Sequence, residues 1–321
     1  SVYCIAYRFY SLYIAKYVMQ LDPNRLTPAE RHNDGLDYVP THKGVLFGHH
    51  FAAIAGAGPL VGPVLAAQMG YLPGTLWIIF GVVFAGAVQD MMVLFVSMRR
   101  DGKSLGDIVK QELGTVPGVI ASIGILMIMV IIMAVLALIV VKALVHSPWG
   151  TFTIAATMPI ALFMGIYTRY IRPGKIGEIS IVGFILLMLA VIYGDNVAHS
   201  SIGPWFDLDG IQLTWAIMIY GFVASVLPVW LLLTPRDYLS TFLKIGTIVA
   251  LAIGILIVSP ALQMPAVTHF IDGSGPVFSG ALFPFLFITI ACGAVSGFHA
   301  LISSGTTPKM LENETHVRMI G

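Results

Sequence analysis

The sequence predicts an all-α integral membrane protein, a polytopic helix bundle. Three observations predict it. The 321 residues are 57% hydrophobic and only 10% charged, with mean hydropathy +0.88, whereas a soluble domain is about half apolar and about a quarter charged. Nine runs are apolar and long enough to cross a hydrocarbon core, which takes roughly 20 residues. Basic residues collect in alternate loops between those runs. These features exclude a soluble enzyme and a disordered chain. They also exclude a membrane barrel, whose strands alternate over about ten residues. Lys+Arg 17 against Asp+Glu 16 leaves +1, so nothing marks a nucleic-acid-binding face.

The first run, about 1–19, is already apolar at Ser1, with no start Met, basic n-region or signal cleavage site, so the sequence reads as a fragment of a longer chain. The second, about 46–69, is rich in glycine and proline. The third, about 74–98, carries Gln89-Asp90 in apolar surroundings. The fourth, about 117–144, is almost pure Ile, Leu, Met, Val and Ala, and Lys142 near its outer end snorkels. The fifth and sixth, about 151–169 and 176–194, are ordinary spans. The seventh, about 212–233, contains Pro228; the eighth is about 241–262; the ninth, about 281–304, ends among hydroxyls. Residues 1–321 thus form a single transmembrane domain. Between the third and fourth runs, Leu105, Ile108, Val109 and Leu113 recur at helical spacing, as in an amphipathic helix on the membrane face. Cys4 and Cys292 lie far apart in apolar runs without metal-type spacing, and read as small buried hydrophobes.

Lys and Arg concentrate in cytoplasmic loops. Here 14 of the 17 occupy alternate loops, and the intervening loops hold none. That alternation needs all nine runs. It places residue 1 outside and residue 321 inside. Asn313-Glu314-Thr315 matches a glycosylation sequon but falls on the cytoplasmic side, and is discounted.

Irregular backbone within a membrane is tolerated only where it faces protein or a water-filled cavity, so breaks point to a site. Gly56, Gly58, Pro59, Gly62 and Pro63 fall within eight residues and should unwind the second run. The helix ends exposed there offer N–H groups to an anion and carbonyls to a cation. These residues are candidate substrate ligands; close packing through small residues is the plainer alternative. A second break is expected at Pro228, with Ser225 and Trp230 beside it. It comes five spans after the first and runs in the opposite direction, as in a five-plus-five inverted-repeat (LeuT-like) transporter core, truncated here. A third irregular stretch, Gly293 to Pro308, clusters Ser303, Ser304 and Thr306 at its cytoplasmic end. Such hydroxyls can hold sodium together with unwound carbonyls, or simply cap a helix end.

Ionisable groups at membrane depth are functional by default. Asp90 and His299 are candidates for ion coupling, histidine because its pKa of about 6.5 lies near physiological pH. His49 and His50 stand at the cytoplasmic start of the broken run, and Asp237 follows Arg236 at a helix end. These three are candidate gating residues, with a structural junction as the alternative for Asp237.

Several long motifs carry a resemblance. Gly48-His49-His50-Phe51-Ala52-Ala53-Ile54-Ala55-Gly56-Ala57-Gly58-Pro59 is one, and Gly86-Ala87-Val88-Gln89-Asp90 another. Leu227-Pro228-Val229-Trp230, Pro235-Arg236-Asp237-Tyr238-Leu239, Cys292-Gly293-Ala294-Val295-Ser296-Gly297-Phe298-His299 and Ser303-Ser304-Gly305-Thr306-Thr307-Pro308 complete the set. Together they resemble the carbon starvation protein A family over essentially the whole chain. The resemblance implies a multi-pass secondary transporter of the bacterial inner membrane that takes up pyruvate or peptides during nutrient limitation. It implies proton symport for pyruvate and a fold related to the five-plus-five transporters. It also implies further helices beyond both ends of this sequence. It supplies no residue-level site.

The leading expectation is a proton-coupled importer of a small carboxylate, pyruvate first, with no cofactor and with sodium as the alternative coupling ion. A short peptide is the alternative substrate. The lipid bilayer is the only other partner expected; the oligomeric state is left open. Two other classes were weighed. An intramembrane metallo-hydrolase would use His49, His50, Asp90 and His299, but lacks a helical ligand pair. A nutrient sensor would need a signalling domain, for which this sequence has no soluble stretch.

Overall fold

Prolines mark two of the helix interruptions of this protein, before Pro59 and at Pro228. The computed structural model describes residues 2–321. Apart from an isolated bridge between Thr41 and Leu311, the described residues form helices and loops. Helix α1 covers residues 2–18, with π-wound turns at Ala6–Tyr10 and Ile14–Val18. Helix α2 is Lys43–Ile54 and α3 is Ala57–Met69, a pair bent by 44° at the break between them. Then come α4 (Tyr71–Arg99), α5 (Leu105–Leu113), α6 (Thr115–Leu144), α7 (Pro148–Ile171) and α8 (Ile176–Ala198). Helices α9 (Gly210–Val226) and α10 (Leu233–Val258) follow. The last run is divided into α11 (Leu282–Thr289), α12 (Ala291–Ala294) and α13 (Gly297–Gly305). Five helices, α4, α6, α7, α8 and α10, are each long and apolar enough to cross a membrane, and α2–α3 adds a sixth as a broken span.

Three boundaries differ from the sequence expectation. The seventh run stops at Val226, because Leu227 precedes Pro228 and is pushed into extended backbone (φ −73, ψ 149). The eighth begins at Leu233, so Pro235-Arg236-Asp237-Tyr238 opens α10 instead of forming a junction before it. Pro235 sits in the first turn, where its missing N–H has no intrahelical partner to lose. The ninth run is three pieces, not one span. The amphipathic helix is found as α5, its N-terminus capped by Ser104, which accepts from the Asp107 amide.

The loops sort to two ends, in the groups that the basic residues mark out. At one end the Val39 and Thr41 amides donate to the carbonyls of Lys309 and Met310, and the Tyr38 hydroxyl donates to the Asp101 carbonyl at 3.0 Å. At the other end the Tyr71 and Leu72 amides donate to Pro265 and Ala266, and the His146 amide donates to Leu208. The main buried cluster joins Leu46 of α2 to Met91, Leu94 and Met98 of α4 and to Met310, Leu311 and Val317 near the C-terminus. A second, of Met164, Ile179, Leu187 and Leu239, binds α7, α8 and α10. Helix α6 turns an almost wholly exposed apolar surface outward.

Helix α4 approaches the ninth run closely. A Cβ at Gly86 would run into the carbonyl oxygen of Ala294. Backbone cannot swing aside as a side chain does, so overpacking here is expected to cost about 1–3 kcal/mol. A thermal melt of Gly86→Ala checks this, and a melting temperature equal to wild type would refute the close approach.

Candidate functional site

In a continuous helix the ring of Pro59 would clash with the carbonyl of Ala55, four residues earlier. The chain breaks there, with Ala55 at ψ 60 and Gly56 at φ −98, ψ −163. The ninth run opens in the same way at Val295 (φ −142, ψ 107) and Ser296 (φ −115, ψ 126). These two interruptions pack against each other. Gly58 lies so near Cys292 that a Cβ would stand 2.7 Å from its Sγ. The two segments run in opposite directions, α3 towards the loops around Tyr71 and Ala266 and α13 towards those around Thr41 and Lys309.

Between them lies a cleft of about 420 Å³. Its walls include Gly56, Ala57, Gly58 and Pro59, the start of α3, and Ser296, Gly297 and Phe298, the start of α13. Ile128, Ile131, Ile132 and Val135 of α6 close one side, and no charged side chain lines it. Neither helix start has a side-chain cap. The Ser296 hydroxyl is 3.3 Å from Cys292 Sγ, and its carbonyl accepts from Gln89 Nε2 at 2.7 Å. Two helix N-termini therefore present free amide N–H groups and positive dipole ends to one apolar cleft.

Behind the Ser296 elbow is a buried titratable cluster. His299 Nδ1 lies 3.2 Å from Asp90 Oδ2, with the two side chains 15% and 8% exposed. Cys292 stands against the same imidazole. Asp90 Oδ1, His299 Nε2 and Ser303 Oγ are all buried without a partner. His299 and Ser303 are four residues apart on α13 and share a face. His50 Nδ1 is 2.7 Å from Thr307 Oγ1, and its Nε2 is buried and unpartnered. His49 Nδ1 is 3.0 Å from Asp237 Oδ2, off the direction that a hydrogen bond requires. A carboxylate and an imidazole sharing a proton out of water form a unit that can take up and release one proton.

The structure brings together Gly56, Gly58, Pro59, Asp90, His299 and Ser303, while Gly62 packs against the Thr289 carbonyl at the end of α11. It does not bring Ser225, Pro228 and Trp230 to the same place. Ser225 is exposed on α9 and donates to its own helix at Phe222. Trp230 lies under the Arg169 guanidinium, 4.5 Å from the ring centre. The break that faces Gly56 belongs to the ninth run, not the seventh. The Ser304 hydroxyl donates back to Ala300 at 2.9 Å within its own helix, and Thr306 follows the end of α13, where its carbonyl accepts from the Lys309 amide. His49 and His50 are buried within α2, covered by α10 and Thr307. Among the described residues no three His, Cys, Asp or Glu side chains form a group suited to a metal ion.

Sequence reasoning missed Gln89, Cys292, Ser296 and Lys244. The first three become legible only when the two breaks are apposed. Lys244, inside the eighth run yet counted among the 14 loop cations, is placed well within a span by the helix that runs from Leu233 to Val258.

The chain matches the family described as Carbon starvation protein CstA over residues 1–321. It is 72% identical over 321 residues to a protein named peptide transporter CstA from Escherichia coli strain K12, covering 100% of this chain and 46% of that one. It is 66% identical over 322 residues to a protein named pyruvate/proton symporter BtsT from the same strain, covering 100% and 45%. It is 50% identical over 319 residues to a peptide transporter CstA from Bacillus subtilis strain 168, covering 99% and 53%. The chain spans about half the length of the curated relatives it matches. No solved structure matches it.

Proposed function

This chain belongs to the carbon starvation protein CstA family, and on that premise we propose that it forms the substrate-binding part of a proton-coupled importer of a small carboxylate, pyruvate first. The supporting observation is the convergence of two uncapped helix starts, at Gly56 and Ser296, on one cleft without charged side chains. A carboxylate matches free N–H groups at positive helix ends. The Asp90–His299 pair is the proton carrier of this reading. Because His299 is on α13, three residues from the Ser296 elbow, its protonation bears directly on the geometry of the substrate-binding turn. Protons are preferred to sodium because Asp90 and His299 form a buried pair of titratable groups beside the cleft. Two antiparallel interrupted segments support an inverted-repeat core, although not with the five-span spacing expected, and we place this chain in the bacterial inner membrane. Taken alone, a cleft of about 420 Å³ also accommodates a short peptide, but it offers no acidic side chain to a peptide's ammonium group.

The test is uptake of labelled pyruvate by the intact transporter in proteoliposomes, under a proton gradient and then a sodium gradient. Uptake driven by protons alone is the expected result. Peptide uptake without pyruvate uptake would overturn the substrate. Uptake driven by sodium alone would overturn the coupling ion.

A further inference from the structure

Lys244 lies roughly 16 Å along α10 from Leu233, at about 1.5 Å per residue, inside a 26-residue helix long and apolar enough to cross a membrane. A charged group at that depth is costly and is normally paired. Its Nζ donates to the Ala52 carbonyl at 2.6 Å. In an unbroken α2 that carbonyl would accept from the Gly56 amide; the break turns that amide to Ile54 instead, at 2.9 Å. The lysine therefore covers a carbonyl orphaned by the interruption. An ammonium has three donors, and this contact uses one. Asp237, two turns nearer the cytoplasm on the same helix, faces His49, and no carboxylate among the described residues pairs with Lys244. Lys244 lines a second cleft, of about 470 Å³, with Phe51, Leu243 and Thr247. Gly56 and Pro59 wall both this cleft and the first.

We propose that Lys244 forms a second carboxylate-binding station, on the other side of the Gly56–Pro59 break. A ligand carboxylate there supplies the negative charge that the protein does not, and accepts from the two spare N–H donors. The two stations share the broken helix as a common wall, so a carboxylate passing from one to the other stays next to a positive group. This inference rests on the reading of the cargo as a carboxylate.

The experiment compares wild type with Lys244→Gln and Lys244→Arg in the intact transporter, using pyruvate and its neutral amide as probes. Glutamine keeps an N–H donor for Ala52 and removes only the charge, and a thermal melt verifies that each variant is folded. Lys244→Gln is expected to raise the KM for pyruvate tenfold or more, and to leave competition by the neutral amide unchanged. Lys244→Arg is expected to stay within about threefold of wild type. A folded Lys244→Gln with wild-type KM for pyruvate overturns the station while leaving the transport reading intact. A Lys244→Gln variant equally weakened towards acid and amide also overturns it, since a charge-specific contact cannot act on both. Wild type that takes up neither pyruvate nor a peptide with a free carboxylate overturns the transport reading, and this inference with it.

Discussion

Asp90→Asn is expected to abolish accumulation of substrate against its gradient while leaving exchange across an equilibrated membrane. Asparagine matches aspartate in shape and can still hydrogen-bond His299 Nδ1, which is 3.2 Å from the carboxylate. It cannot take up a proton between pH 5 and 8. The imidazole would then titrate without its carboxylate partner, and the dependence of the rate on external pH should shift away from the wild-type profile. Proton-driven uptake should fall by about tenfold or more, the effect of about 1.4 kcal/mol on a coupled step. Counterflow of unlabelled against labelled substrate requires no net proton movement and should stay within a few-fold of wild type. His299→Gln should behave alike. Asp90→Asn protein that accumulates substrate with the wild-type pH profile would show that the proton is carried elsewhere.

The second large effect is on stability. Glu314 is fully buried at the cytoplasmic end. Its Oε1 accepts from Arg99 Nε at 3.2 Å and from the Asp22 amide at 3.2 Å, and its Oε2 lies 3.5 Å from Arg25 Nε. One carboxylate therefore ties the loop after α1 and the end of α4 to the C-terminal segment. Glu314→Ala removes the carboxylate between two guanidinium groups and takes the acceptor from the half-buried Asp22 amide. Breaking a buried pair from one side costs about 3–5 kcal/mol, although Arg25 is half exposed and contributes the smaller part. The thermal melt should drop well below that of Glu314→Gln, which keeps an acceptor. A Glu314→Ala protein melting with wild type would mean that the network is incidental.

Glu314 illustrates where sequence reasoning stops. In the sequence it is the middle residue of a discounted sequon, flanked by ordinary polar neighbours. Its role follows from partners almost 300 positions earlier in the chain, at Asp22 and Arg25. Lys244 is a similar case. Counting it as a loop cation satisfied the charge alternation, and only the early start of α10 at Leu233 moves it to membrane depth.

Local rules were reliable where the physics is local. Hydropathy marked the long helices, because covering roughly 20 residues with lipid is a property of the segment itself. Pro59 marked the break at Ala55–Gly56, because a ring clash acts within one turn. The basic residues divided the loops into the two groups that meet at opposite ends.

The sequence by itself thus determined an all-helical membrane chain, the division of its loops into two groups, an interruption of the second run near Gly56 and the candidate residues Asp90 and His299. Only the tertiary structure decided that the interruption faces Ser296 and not Pro228, that Asp90 and His299 touch, and that Lys244 covers the Ala52 carbonyl. A span count carries direction but not adjacency. Adjacency is chosen by close packing between helices, here by glycines such as Gly58 and Gly86 that let one backbone approach another.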